Sequence, residues 1–259
     1  EKSFELTASD AYPSSFATYP AHHHLLGSRS FMMGSKGIIQ HPEVSAMQPE
    51  DYDDFIASPY DCLMEKIFPR IYPVLDTDPV SRSLALAKAT KAYFEYADFY
   101  AGLDAQLIDK YGFFAPPAGS GSGGTTPFDL LSDILRGFKG ITMDIKRCPE
   151  KILAACDAIL PLSIKKGTPA KPSPLGANFI ALHMATYLRT KDFEKYYWPT
   201  FYKLVHGLAE KGQPCLIFCE DNWMRYLDYL YELPQGTRFY FEYGDPRLVK
   251  EKLGKKHII

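Results

Sequence analysis

The hydrophobic and polar positions of this chain follow no period over roughly the first fifty residues, a helical one next, and a strand-then-helix alternation from residue 112 onward. The opening stretch is rich in Ser, Pro, Tyr, Gly and Met and reads as an irregular segment. Pro49-Glu50-Asp51-Tyr52-Asp53-Asp54-Phe55 then opens a helix, with proline and acids in the first turn, where they suit the helix dipole. A longer helix is predicted from about Asp78 to Tyr111, with Leu84, Leu86, Ala87, Ala89, Phe94, Ala97, Leu103 and Leu107 as its apolar positions.

Beyond it, Gly112–Pro117 reads as a strand and the Gly/Ser run 119–124 as a flexible loop bordering a ligand pocket. That run lacks the Lys-Ser/Thr of a phosphate loop and the spacing of a dinucleotide fold. Helices are predicted over Pro127–Phe138 and from Cys148-Pro149-Glu150 through Ile159. A basic, proline-rich linker, Lys165–Pro174, leads to a strand at Asn178–His183. The helical stretch Thr190–Lys211 carries a break at Pro199. Strand Cys215–Glu220, helix Trp223–Glu232, strand Arg238–Tyr243, helix Pro246–Leu253 and the start of a strand at His257–Ile259 complete the alternation. This rhythm means an α/β fold with a parallel sheet and right-handed crossovers. About five strands are legible, whereas a closed barrel needs eight. The expected fold is a (β/α)8 TIM-type barrel, incomplete at both ends. The start without Met and the stop within an apparent strand lead to the same expectation of a piece of a longer protein. Residues 1–46 are expected as an irregular segment and 47–259 as a partial barrel domain.

The most informative single run is Cys215-Leu-Ile-Phe-Cys-Glu-Asp-Asn222, an apolar strand ending on a thiol and two carboxylates. It has the character of a strand buried on both faces. In α/β barrels the residues just past a strand's C-terminal end face the active site, which makes Cys219, Glu220 and Asp221 candidates. The alternative for Asp221 or Asn222 is a cap on the following helix. His183 also ends a strand, with a structural role as its alternative. His22-His23-His24 and His41 lack ligand spacing and read as exposed loop.

A formal net charge of −2 gives no electrostatic reason to expect nucleic acid. No apolar stretch is long enough to span a membrane. Five cysteines form no paired framework, and no signal peptide opens the chain, so a reducing cytoplasm is the expected compartment. The 18 Tyr and 17 Phe point to a well-filled core or an aromatic-lined pocket.

The segment Gly123-Gly-Thr-Thr-Pro-Phe-Asp-Leu-Leu-Ser-Asp-Ile-Leu-Arg-Gly-Phe-Lys-Gly-Ile141, then Cys148–Leu153, His183, Asp192–Pro199, Leu216–Asn222 and Leu233–Gly236, resembles the uroporphyrinogen decarboxylase superfamily. Met47–Ile56 fits the same resemblance. It implies a (β/α)8 barrel and one of two chemistries. One is cofactor-free decarboxylation of a tetrapyrrole. The other is methyl transfer between a small donor or acceptor and a corrinoid protein, in thiol-activating members with zinc held by His-x-Cys and a later Cys. This chain departs from both patterns. The decarboxylase's Arg-rich N-terminal motif is absent, and its active-site Tyr falls at Asp133. Cys219 matches the Cys of His-x-Cys, but Ile217 stands at the His position.

The resemblance is therefore closest to the demethylase-like corrinoid methyltransferases, in which an acid often occupies the position of Glu220. The expectation is a methyltransferase with Glu220, Asp221 and His183 catalytic. Asn222, Phe128, Asp133 and Arg225 are expected to contact substrate. Cys219, His183 and Glu220 form a candidate zinc set, and a corrinoid protein and a small methyl donor or acceptor are the expected partners. The alternatives are a decarboxylase, with Arg136, Lys139 and Arg225 near the mouth, and a non-catalytic corrinoid- or tetrapyrrole-binding barrel.

Overall fold

A computed structural model describes residues 21–259. The chain gathers into two compact units. One contains the described residues up to Ala46 and Met64–Ala115, the other Met47–Leu63 and Pro116–Ile259.

In the first unit a short helix, α1 (Ala21–Leu25), precedes an antiparallel hairpin of β1 (Met32–Met33) and β2 (Ile39–Gln40). The histidine triplet lies on α1 and not in an exposed loop: His23 stacks with Tyr72 and His22 meets Tyr93 edge-on. Burial, helped by neighbouring His22, lowers the His23 pKa to about 4. The long predicted helix spans Pro79–Tyr111. It starts at Asp78, whose carboxylate accepts the amides of Val80 and Ser81, and stops at Gly112 in the left-handed conformation. Of its predicted apolar positions only Ala89 and Leu107 are buried, whereas Leu84, Phe94 and Leu103 are exposed. Leu26, Leu75 and Ala89 form a small core with Phe68 and Tyr72 against them.

The second unit begins with a 3-10 turn, Pro49–Asp51, followed by two short helices, Tyr52–Ala57 and Pro59–Cys62. It is built around a parallel sheet of four adjacent strands in chain order: β3 (Gly121–Gly124), β4 (Ala177–Leu182), β5 (Cys215–Cys219) and β6 (Arg238–Phe241). Arg238 also forms a parallel bridge with Ile258, at the predicted last strand. The fold is thus α/β with a four-stranded parallel sheet, and a complete eight-stranded barrel is not seen among the described residues. Helices Gly137–Arg147, Pro149–Gly167, Trp198–Glu210 and Leu227–Glu232 connect the strands, and Pro246–Leu253 follows β6.

Two readings change here. The strand before the long connection is the Gly/Ser run itself, and Phe113–Pro117 is irregular. Glycine fits because β4 comes close: a Cβ on Gly124 would lie 2.9 Å from Asn178 Oδ1. Asn178 Nδ2 donates to Ser122 Oγ and to the carbonyl of Gly167, each at 2.9 Å, stitching β3 to β4 and to a helix end. Secondly, β5 is not buried on both faces. Cys215, Ile217 and Cys219 are buried while Leu216 and Phe218 are only partly so. Helix Trp198–Glu210 packs against β5, and Pro149–Gly167 against β3. On the other sheet face Phe179, Phe218 and Tyr240 stack across three strands, and Tyr240 is 61% exposed. No helix among the described residues is long and apolar enough to cross a membrane.

Candidate functional site

Strand register assembles the site. Leu182 is paired with Cys219, and Cys219 with Phe241. The next residues, His183, Glu220 and Glu242, therefore leave the C-terminal edge of three parallel strands side by side. The Glu220 carboxylate lies 2.6 Å from His183 Nδ1, with the histidine side chain 44% exposed and the glutamate 29%. Burial raises the Glu220 pKa; His183 opposes the shift, while the Glu242 and Asp129 charges add to it.

The third wall is the segment after β3. Thr126 caps a single turn, Pro127–Asp129, by accepting the Asp129 amide at 3.0 Å. The chain then widens into a π-turn, Leu130–Leu135, a geometry that is rare overall and frequent at functional sites. Asp133 stands on it. Burial pushes its carboxyl up to about 7, the Asp129 charge pushes the same way, and His183 pulls it back in part. A carboxylic acid that keeps its proton near neutrality can protonate a leaving group. Beneath it Asp129 is fully buried, and it accepts the Tyr197 hydroxyl at 2.6 Å, the Thr126 hydroxyl at 2.9 Å and the Met184 amide at 3.0 Å. Tyr197 ends a second π-turn, Phe193–Tyr197.

The other expected site residues take different places. Side chains alternate across a strand, so Cys219 shares the face of Cys215 and Ile217 and points under the helices. It is fully buried, which lifts its thiol well above the usual range and keeps it un-ionised. Asp221 adopts φ 59°, and its amide donates to Glu242 Oε2 at 2.8 Å, so its backbone joins the site. Asn222 Oδ1 accepts the Met224 amide at 3.0 Å, a local turn bond two residues along the chain, and the helical turn that follows has Trp223 as its N-cap. Phe128 is fully buried with its ring 5.7 Å from that of Tyr197. It is a core residue beneath the site. Arg225 donates to the carbonyls of Thr186 and Leu188 and stacks on Tyr226. It braces the loop after β4.

Asp129, Tyr197, Thr126 and Glu242 were not singled out by sequence. Glu242 was within reach, since aligning the ends of neighbouring strands puts it beside Glu220. Asp129 and Tyr197 carried no comparable signal, because their meeting depends on the packing of the turn Pro127–Asp129 against the π-turn Phe193–Tyr197.

Among the described residues no group of three His, Cys, Asp or Glu side chains is placed to hold a metal ion. The expected zinc set does not fit: His183 and Glu220 meet, but the third member, Cys219, faces the opposite side of the sheet. What the arrangement offers is proton transfer: a paired histidine and carboxylate with a carboxyl whose pKa burial raises. The chain matches no protein-family model and no curated protein.

Proposed function

We propose that this site performs proton-assisted methyl transfer between a small donor or acceptor and a corrinoid carried by a partner protein, in a barrel of the uroporphyrinogen decarboxylase type. The barrel reading is supported by four parallel strands in consecutive order, helices on one face and aromatic rings on the other. One arrangement carries the chemistry: Asp133, on the π-turn after β3 and with its carboxyl pushed up by burial, stands with the paired His183 and Glu220 side chains.

When a methyl group leaves an oxygen or nitrogen for the corrinoid, the bond electrons stay on that heteroatom, which then needs a proton. Asp133 supplies it and becomes a carboxylate. His183 and Glu220, bonded to each other, orient the donor and return a proton from solvent to the cluster. The proton thus comes from the chain and the methyl group from the donor, and a corrinoid in its reduced cob(I) form would supply the electron pair of the new bond, which balances the step.

The decarboxylase alternative has less support. Arg136 is buried in an ion pair with Asp144 and Arg225 is bound to backbone carbonyls, so neither stands ready for substrate carboxylates. Glu220 and Glu242, at the ends of β5 and β6, also repel a polycarboxylate.

The test is to incubate the full-length chain with cob(I)alamin and a panel of O-methyl and N-methyl donors, following methylcobalamin formation optically. Formation with at least one donor, lost in Asp133→Asn, is expected. Conversion of uroporphyrinogen to coproporphyrinogen without methyl transfer would contradict the proposal.

A further inference from the structure

We propose that Asp129 is a positioning residue: its carboxylate ties the loop bearing His183 to the π-turn bearing Asp133 and fixes how the two face each other. This rests on the proton-transfer reading of the site.

The geometry is a buried three-way tie. Asp129 Oδ1 accepts the amide of Met184, the residue next to His183, at 3.0 Å. Oδ2 accepts the Tyr197 hydroxyl at 2.6 Å and the Thr126 hydroxyl at 2.9 Å. Two remote segments, the loop after β4 and the second π-turn, therefore converge on a side chain that its own turn holds through Thr126. Asp129 itself lies four residues before Asp133, at the entrance of the first π-turn.

The partners also define its charge. The Met184 amide can only donate, and the Thr126 hydroxyl already accepts the Asp129 amide, so its proton is directed at the carboxylate. Donors aimed at both oxygens suit the ionised form, which offers acceptors only. Burial raises the Asp129 pKa, while the Tyr197 hydroxyl, the Met184 amide, the Thr126 hydroxyl and His183 oppose that rise. A buried charge held without a cation is costly unless it is hydrogen-bonded or used. Here it is hydrogen-bonded, and it also bears on its neighbour.

The titratable groups that face Asp133 are Asp129 from its own segment, His183 from past β4 and Glu220 from past β5. Tyr197 senses both acids from the second π-turn. Of the three that face Asp133, Asp129 has no exposed surface, whereas the His183 and Glu220 side chains are partly exposed. Its field on Asp133 is therefore the least screened by solvent.

Asp129→Asn and Tyr197→Phe separate charge from tether. Asp129→Asn keeps an acceptor for the Met184 amide and removes the charge. The Asp133 carboxyl, followed by carbon-13 NMR on the labelled full chain, is expected to titrate about one unit or more below its wild-type value. Tyr197→Phe keeps the charge and removes one donor. It is expected to leave Asp133 titrating near 7 and to reduce methyl-transfer turnover roughly 10- to 100-fold with KM unchanged, through misplacement of His183.

Should Asp129→Asn not fold, Tyr197→Phe still decides, because wild-type turnover in that variant would overturn the proposal. An Asp133 titration unmoved in folded Asp129→Asn would overturn it as well. If no donor is demethylated by the wild type, the methyl-transfer reading fails and the tether is read instead from the Met184 amide and His183 ring NMR signals: displaced signals in Tyr197→Phe support the assignment of Asp129, and signals left at their wild-type positions overturn it.

Discussion

Two carboxylates of the same unit lie almost out of reach of water and are treated in opposite ways. Asp144 receives a full complement of partners. Arg136 Nε lies 2.6 Å from its Oδ2 and Nη2 lies 3.1 Å from its Oδ1, while the Tyr52 hydroxyl donates to it at 2.9 Å. Arg136 also donates to the Met47 carbonyl, so the pair fastens the start of the unit to the segment after β3. Asp129, by contrast, has hydrogen-bond donors but no paired cation, and its neighbours Asp133 and Glu220 are further acids. The first arrangement neutralises charge and is complete in itself. The second concentrates acids around a single histidine and leaves Asp133 protonated near neutrality. That contrast separates a structural network from a chemical one more clearly than burial does.

The largest effect that would break the comparison is expected at Asp133. Asp133→Asn should lower methyl-transfer turnover by about 10²- to 10⁴-fold, the range for loss of a general acid, as read in the cobalamin assay. Arg136→Met should cost about 3–5 kcal/mol in urea unfolding, because it strands the Asp144 charge in the interior. Its folded fraction should keep wild-type turnover.

The pH dependence of stability sharpens the contrast next. Asp133 titrates near 7 when folded, against 3.8 ordinarily. Between those values the folded chain holds a proton that the unfolded chain has released. Its contribution to stability therefore declines as pH rises from about 4 to about 7. Asp133→Asn should remove this slope and be more stable than the wild type above pH 7, measured by urea unfolding across pH. The smallest effect belongs to Cys219→Ala, which should cost about 1 kcal/mol of stability for the buried atom removed and leave turnover intact.

Much of the sheet is legible along the chain, because β4, β5 and β6 are short apolar runs that end at polar residues and alternate with helices. His183 and Glu220 follow from the same pattern, since strand ends are where side chains leave the sheet at its C-terminal edge. Gly121–Gly124 escapes such a reading: glycine has low strand propensity, and pairing with β4 makes it a strand. Cys219 misleads because proximity to a strand end says nothing of which face a side chain takes. Alternation from Ile217, fully buried, sends it beneath the helices. The long helix misleads differently. Its apolar residues are spread around the cylinder, so Leu84 and Phe94 stay exposed while Ala89 is buried. Asp129 and Tyr197 are legible only in three dimensions, where the turn Pro127–Asp129 meets the π-turn Phe193–Tyr197.

The account stands most directly on the protonation state of Asp133. A carbon-13 NMR titration of its carboxyl in the wild-type full chain should give a midpoint near 7. A midpoint near 3.8, the ordinary value, would leave the cluster without its proton donor and contradict the proposed chemistry.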